Sequence, residues 1–210
     1  MAENQPLRQV RERLQEYVYD KRRTYMSRKI AVAGGGAAGM AAAIQAARMG
    51  AQVTIYERND RIGKKILSTG NGKCNFSNDK MGVEFYYGSG IKLADAIYKT
   101  IGTPETRQFF EALGMRIKEK NSYLYPASEQ ASTVLDVLRY ELERLKVSVH
   151  TNSQVTGIKK YKGRFAVETA EEGKEDCFDA VILSCGGKAA PKTGSDGSGF
   201  VLAKKLGHKI

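Results

Sequence analysis

Residues 29–57, KIAVAGGGAAGMAAAIQAARMGAQVTIYE, decide the fold. KIAVA is a short apolar run without alternation, the pattern of a parallel strand buried on both faces. Three glycines follow, and then an alanine-rich stretch from Met40 to Met49 that favours helix and stops at Gly50, where a C-terminal cap glycine belongs. QVTIYE then returns as a second strand. Strand, glycine turn, helix and strand make a βαβ unit.

Within that unit the spacing Gly34-x-Gly36-x-x-Gly39 sits between strand and helix, and the acidic Glu57 ends the second strand. The spacing alone is weak, but this context makes it a dinucleotide-binding signature. Gly34 allows the tight turn, Gly36 lets backbone approach a pyrophosphate, and Gly39 lets the helix pack closely on the strand. The pyrophosphate is expected on the helix N-terminus, against Ala37 and Ala38, where free N–H groups and the macrodipole favour an anion. Glu57 is expected to accept hydrogen bonds from an adenosine ribose, and its charge disfavours a ribose 2′-phosphate.

Immediately after the second strand comes Gly63–Asn78, GKKILSTGNGKCNFSN. Glycines 63, 70 and 72 remove side chains where a ligand must come close, while Ser68, Thr69, Asn71, Asn75 and Ser77 supply polar groups. In a flavoprotein such a segment flanks the pyrophosphate and the ring, where a positive charge stabilises the reduced flavin. Lys64, Lys65 and Lys73 are the candidates for that charge. Cys74 has no partner cysteine before Cys177, so it is read as a small residue packed beside the cofactor. A third stretch, residues 180–199, begins with an apolar strand read as the centre of the sheet. It carries Gly186 and Gly187 and a helix N-terminus near Asp196–Ser198.

Elsewhere the pattern predicts helices over IKLADAIYKTIG and PETRQFFEALG, the second opened by Thr103 as N-cap and Pro104. A hairpin is expected around Asn121-Ser122, a long helix with Val134, Leu135, Leu138, Leu142 and Leu145 on one face, then the strand VSVHTN. A β-meander with turns at Lys162-Gly163 and Glu172-Gly173 precedes the last strand and a closing helix. Residues 1–25 read as an amphipathic helical extension ahead of a domain over 26–210.

The 210-residue chain has 34 Lys and Arg against 23 Asp and Glu, a net charge of +11. The excess is spread along the chain and is assigned to solvated lysines and an anionic cofactor. No basic stripe interleaved with aromatics suggests nucleic acid. No apolar run approaches the roughly 18 residues of a membrane helix. The N-terminus lacks the apolar core of a signal peptide, and three cysteines without metal-ligand spacing point to reduced thiols, so a cytoplasmic location is expected and no metal. The two histidines, His150 and His208, form no catalytic set with a nucleophile.

The stretch from Lys29 to Asn78, together with YPASEQASTVLDVLR and VILSCGGKAAPKTGSDGSGFVLAKKLGH, resembles the bacterial NAD(P)/FAD-dependent, aminoacetone-oxidase-like flavoproteins, some of which reduce bile-acid intermediates. The resemblance covers Met26 to Ile210. It implies a glutathione-reductase-like α/β fold: a Rossmann-like FAD-binding domain with a central parallel sheet and a small antiparallel β-meander. FAD would be held by the positions 34–39, by Glu57 and Arg58, and by the 63–78 segment with Lys64, Lys65, Ser68, Gly72, Cys74 and Asn75. Val155 would lie near the adenine, and Cys185, Gly186 and Gly187 would complete the set. Hydride would pass through flavin N5 from NAD(P)H or a small-molecule donor, with no catalytic acid or base assigned. The resemblance implies that the chain corresponds to the N-terminal portion of longer family members, and it is expected to lack the family's substrate domain and C-terminal segment. An NAD-dependent dehydrogenase and a nucleotide-binding module without turnover remain as alternatives.

Overall fold

The computed structural model describes residues 27–170, 176–188, 191 and 194–210. The predicted extension over 1–25 and the turn at Glu172-Gly173 lie outside them. Four parallel strands form the central sheet in the order β10-β1-β2-β6, with β1 Lys29–Ala33, β2 Gln52–Tyr56, β6 Ser148–His150 and β10 Ala180–Leu183. The helix α1, Ala37–Arg48, crosses from β1 to β2. Its end is closed by Gly50 at φ +88°.

Alternation along the strands divides the core in two. Val32, Val53 and Ile55 face a cluster with Met40, Ala43 and Ile44 of α1, while Ala31, Ala33 and Tyr56 face a second cluster with Val155, Ile158 and Val167. The first face is covered by α1 and by α4, Ala131–Arg144, whose Val134, Leu135, Leu138 and Leu142 are buried as predicted and whose Leu145 is partly buried. The second is covered by an antiparallel meander of β7 Val155–Tyr161, β8 Arg164–Thr169 and β9 Asp176–Phe178, and by Leu202 of α5, Ser198–Lys205. Both faces of the sheet are therefore apolar, which is why its strands read as unbroken hydrophobic runs.

That double covering corrects one expectation. The run DAVILS forms β10, yet β10 pairs only with β1 among the described residues and stands at the end of the strand order. Val181 and Leu183 pack on the meander side and Ile182 on the α1 side. Its apolarity records two covered faces, not two neighbouring strands.

A third, smaller sheet has the order β3-β5-β4, with β3 Ser77–Asn78, β4 Ile117–Lys120 and β5 Tyr123–Pro126. Asn121 and Ser122 join β4 to β5 with φ of +53° and +66°, the left-handed pair that a two-residue type I′ turn requires. Lys162 and Gly163 do the same between β7 and β8, at φ +48° and +78°. Two helices, α2 Ile91–Thr100 and α3 Thr103–Ala112, precede β4. The cap of α3 lies one residue earlier than predicted, at Gly102, whose N–H donates to Glu105 Oε2 at 2.7 Å. Thr103 is drawn into the helix because its hydroxyl donates to the Asn78 carbonyl, 2.7 Å away.

The junction of α1 and α4 carries a nearly buried carboxylate. Glu141, 9% exposed, accepts hydrogen bonds from Arg144 Nε at 2.7 Å and Arg48 Nε at 2.9 Å. The Arg144 bond, opposed by burial and assisted by Arg48, lowers the Glu141 pKa from 4.5 to about 2. A carboxyl held below its unfolded value stabilises the fold above that unfolded value, and the contribution disappears as pH falls toward about 2. Glu141→Ala is expected to destabilise the domain by about 1–3 kcal/mol at neutral pH. The deficit relative to the native chain should shrink between pH 4.5 and about 2 in urea titrations. A pH-independent difference would refute the electrostatic assignment.

Candidate functional site

The carboxyl ends of β1, β2 and β10 open onto a cleft of ≈310 Å³. This is where open α/β sheets place ligands, because the chain leaves adjacent strands toward opposite faces. The first wall is the glycine turn. Gly34, at φ +107°, lies so close to β10 that a Cβ there would stand 2.7 Å from Ser184 O. Ser184 holds that junction by donating its hydroxyl to Ala33 O and Gly34 O, at 3.0 and 2.8 Å. A Cβ on Gly39 would stand 1.9 Å from Gly34 O, so close helix-to-strand packing does depend on this glycine. Gly36 differs from both: a Cβ there would meet nothing within 4 Å, and the residue faces the cleft.

Behind Gly36 the helix N-terminus is bare. No side chain caps α1 and its first turn holds no acidic residue, so the N–H groups around Ala37 and Ala38 face the cleft without a charged partner. Such an end attracts an anion.

The second wall follows β2. Glu57 is buried, and its carboxylate accepts from Gly35 N at 2.8 Å, Asn59 N at 2.9 Å and Asn59 Nδ2 at 2.6 Å. Oε1 holds two of these donors and Oε2 one, which leaves Oε2 the freer acceptor. Arg58 pairs with Asp196 on the far side, and this bond holds the Asp196 carboxyl well below the usual carboxylate range. The third wall comes from Ser153, Gln154 and Val155 at the start of β7, and the fourth from Cys185, Gly186 and the 194–198 turn. Burial pushes the Cys185 thiol up, so it stays protonated.

Of the residues singled out from sequence, Gly34, Gly36, Ala37, Ala38, Glu57, Arg58, Lys64, Lys65, Val155, Cys185 and Gly186 meet in this one cleft. Gly39 packs beneath it. Gly187 follows Gly186 and does not line the cleft, its nearest packing partner being Phe200.

The 63–78 segment divides. Its beginning lines the cleft, whereas Ser68, Gly72, Cys74 and Asn75 do not. Ser68 donates to Lys65 O at 2.9 Å within a 3-10 stretch, Ile66–Gly72, that kinks at Thr69. Gly72 is exposed with open space around its α-carbon. Asn75 abuts Gly70, with its N 2.8 Å from where a Gly70 Cβ would be. Cys74 is 5% exposed in the α1–α4 core, and burial raises its pKa, as expected of a packed rather than a reactive thiol. Lys73 is turned away and paired with Glu129.

Asn59, Ser184 and Ser195 are among the cleft residues that the sequence reading did not single out. Asn59 carries a detectable signal, since it stands two positions after the acidic strand end and orients it. Ser184 closes the predicted strand, but its task depends on β10 lying against the glycine turn. Ser195 gives no local signal, because its partner Lys65 is 130 positions away.

Comparison with known proteins bears on this arrangement. The family described as HI0933-like protein Rossmann domain matches residues 28–210. The chain is 44% identical over 184 residues to the 3-dehydro-bile acid delta(4,6)-reductase of Clostridium scindens, covering 87% of this chain and 44% of that protein. It is 24% identical over 183 residues to the ribosomal RNA dihydrouridine synthase of Haemophilus influenzae, covering 85% of this chain and 45% of that one. The chain thus spans less than half the length of the curated relatives it matches. Among solved structures, the 3-ketosteroid-delta4-(5alpha)-dehydrogenase of Rhodococcus jostii RHA1 superposes with a TM-score of 0.64 at 18% identity, over 90% of this chain and 56% of that one.

Proposed function

The chain belongs to the HI0933-like Rossmann-domain family, and from that premise we propose that residues 26–210 are the FAD-binding part of a flavin-dependent oxidoreductase. The observation that carries the reading is Gly36: the one glycine of the turn with empty space before it lies at the uncapped N-terminus of α1 and opposite Glu57 in the same cleft. A group that fits there brings an anion to the helix end and a hydroxyl to the carboxylate. A dinucleotide offers both.

FAD, when bound, supplies hydride transfer through flavin N5, from NAD(P)H or a small-molecule donor to an acceptor. The chain's own residues bind and orient. The N–H groups of Gly36, Ala37 and Ala38 would hold the diphosphate. Glu57 would accept from the adenosine ribose through Oε2, held in place by Gly35 and Asn59. Val155 would border the adenine, while Arg58 and Asp196 tie the adenosine wall to the turn before α5.

The substrate class we propose is a small molecule bearing an electron-poor carbon–carbon double bond, as in the bile-acid intermediate for which the 44%-identical relative is named. The relative at 24% identity is named for a ribosomal RNA substrate, which the dispersed basic charge of this chain does not favour.

The test is the purified chain itself. It is expected to carry a yellow chromophore that mass spectrometry identifies as FAD, and to lose its visible absorbance on anaerobic addition of NADH or NADPH. FAD that binds but never bleaches with any donor would favour a nucleotide-binding module without turnover. Binding of NAD and not FAD would favour the dehydrogenase.

A further inference from the structure

Ser195 is a buried polar side chain in the cleft wall to which the glycine turn and Glu57 give no task. It is 3% exposed, it stands in the turn before α5, and its Oγ accepts a hydrogen bond from Lys65 Nζ. Lys65 is exposed as a residue, and its flexible stem would leave the ammonium in many positions. Ser195 selects one of them. Gly186, at φ +79°, keeps that position open: a Cβ there would stand 2.9 Å from Ser195 Oγ and 3.7 Å from Lys65 Nζ. Lys64 is spent otherwise, on Asp60 at 3.5 Å, and Lys73 on Glu129 at 3.3 Å.

We propose that Ser195 is a positioning residue that fixes the Lys65 ammonium in the cleft, and that the ammonium so held binds the cofactor diphosphate on the side facing away from α1. This rests on the dinucleotide reading above. The chemistry supports it in three ways. One ammonium hydrogen goes to Ser195 and two remain for an anion. Lys65, Ser195, Gly36, Ala37 and Ala38 line one cleft, so cation and helix end can share one ligand. A diphosphate carries more charge than a single helix end neutralises, and a charge-assisted bond to a fixed ammonium meets the remainder.

The experiment uses the full chain with ADP and adenosine as probes, which differ by the diphosphate. Ser195→Ala is expected to weaken ADP about tenfold and Lys65→Gln at least as much, with adenosine affinity unchanged in both. Ser195→Thr should restore ADP binding, and the Ser195→Ala/Lys65→Gln double variant should be no weaker than Lys65→Gln alone. The dependence of ADP affinity on salt should flatten in both single variants. Lys65 is exposed, so its substitution leaves folding intact and supplies an answer even where Ser195→Ala disturbs the turn. If native protein binds ADP and the variants bind it equally well, the pairing is overturned while the dinucleotide reading stands. Equal loss of ADP and adenosine in Ser195→Ala, with Lys65→Gln unaffected, also overturns it, since the hydroxyl would then only shape the wall. Native protein that binds neither probe overturns the dinucleotide reading and this proposal with it.

Discussion

Gly36→Ala is expected to leave the domain folded and to weaken FAD binding at least about 100-fold. Gly36 has φ −77° and ψ −174°, an extended conformation open to any L-residue, and a Cβ there would meet no protein atom within 4 Å. The cost to the fold is confined to exchanging an N-cap glycine for alanine, about 1 kcal/mol. The cost to the ligand is of another kind. The new methyl would project into the space in which a diphosphate must approach the α1 amides, and a displaced anion loses both close N–H donors and helix dipole. Urea unfolding and equilibrium dialysis with FAD check the two halves separately. A Gly36→Ala protein that is folded and binds FAD like the native chain would remove the diphosphate from this corner of the cleft. It would take the observation carrying the proposed function with it.

The three glycines of the motif already carry different tasks in the sequence, and the structure adds the distances that separate a ligand-blocking substitution from a fold-breaking one. The tasks were legible because the motif stands between a strand and a helix and ahead of Glu57. Local rules also sufficed for the type I′ hairpins at Asn121-Ser122 and Lys162-Gly163 and for the buried face of α4, since each depends on neighbours a few positions away. What escaped was set by distant packing. The apolarity of β10 could not distinguish a central strand from an end strand covered on both faces. Thr103 looked like a cap because its partner, the Asn78 carbonyl, belongs to another element. Within Gly63–Asn78 the composition suggested one continuous ligand surface, yet Cys74 is drawn into the core while Lys65 is drawn toward Ser195. Short segments rich in glycine and polar residues do not carry the periodicity that tells which side is buried.

Gly39→Ala should have the opposite signature to Gly36→Ala: loss of the fold first, and of the ligand only as a consequence. The substitution improves intrinsic helix propensity by about 1 kcal/mol, so on local grounds it ought to stabilise α1. Packing decides otherwise. Its Cβ would lie 1.9 Å from Gly34 O and 2.7 Å from Ser184 Oγ, and the first of these atoms is backbone that no rotamer change can move. Relief requires α1 to withdraw from β1, which would loosen Met40, Ala43 and Ile44, each 0% exposed, and break the Ser184 bonds that join β10 to the glycine turn. Overpacking of a well-filled core costs about 1–3 kcal/mol, and a collision with backbone belongs at or above the top of that range. Against a domain stability of about 5–15 kcal/mol, the net loss is expected to reach about 3 kcal/mol and to appear as a lower urea midpoint or as insoluble expression. Gly50→Ala is the control. Gly50 sits in a left-handed conformation just past the end of α1, at φ +88°, with nothing within 4 Å of the added carbon, so only backbone strain of about 1 kcal/mol applies. Equal effects at Gly39 and Gly50 would mean that helix and strand are not in the contact described, because only that contact makes one glycine sterically obligatory and the other a matter of dihedral preference.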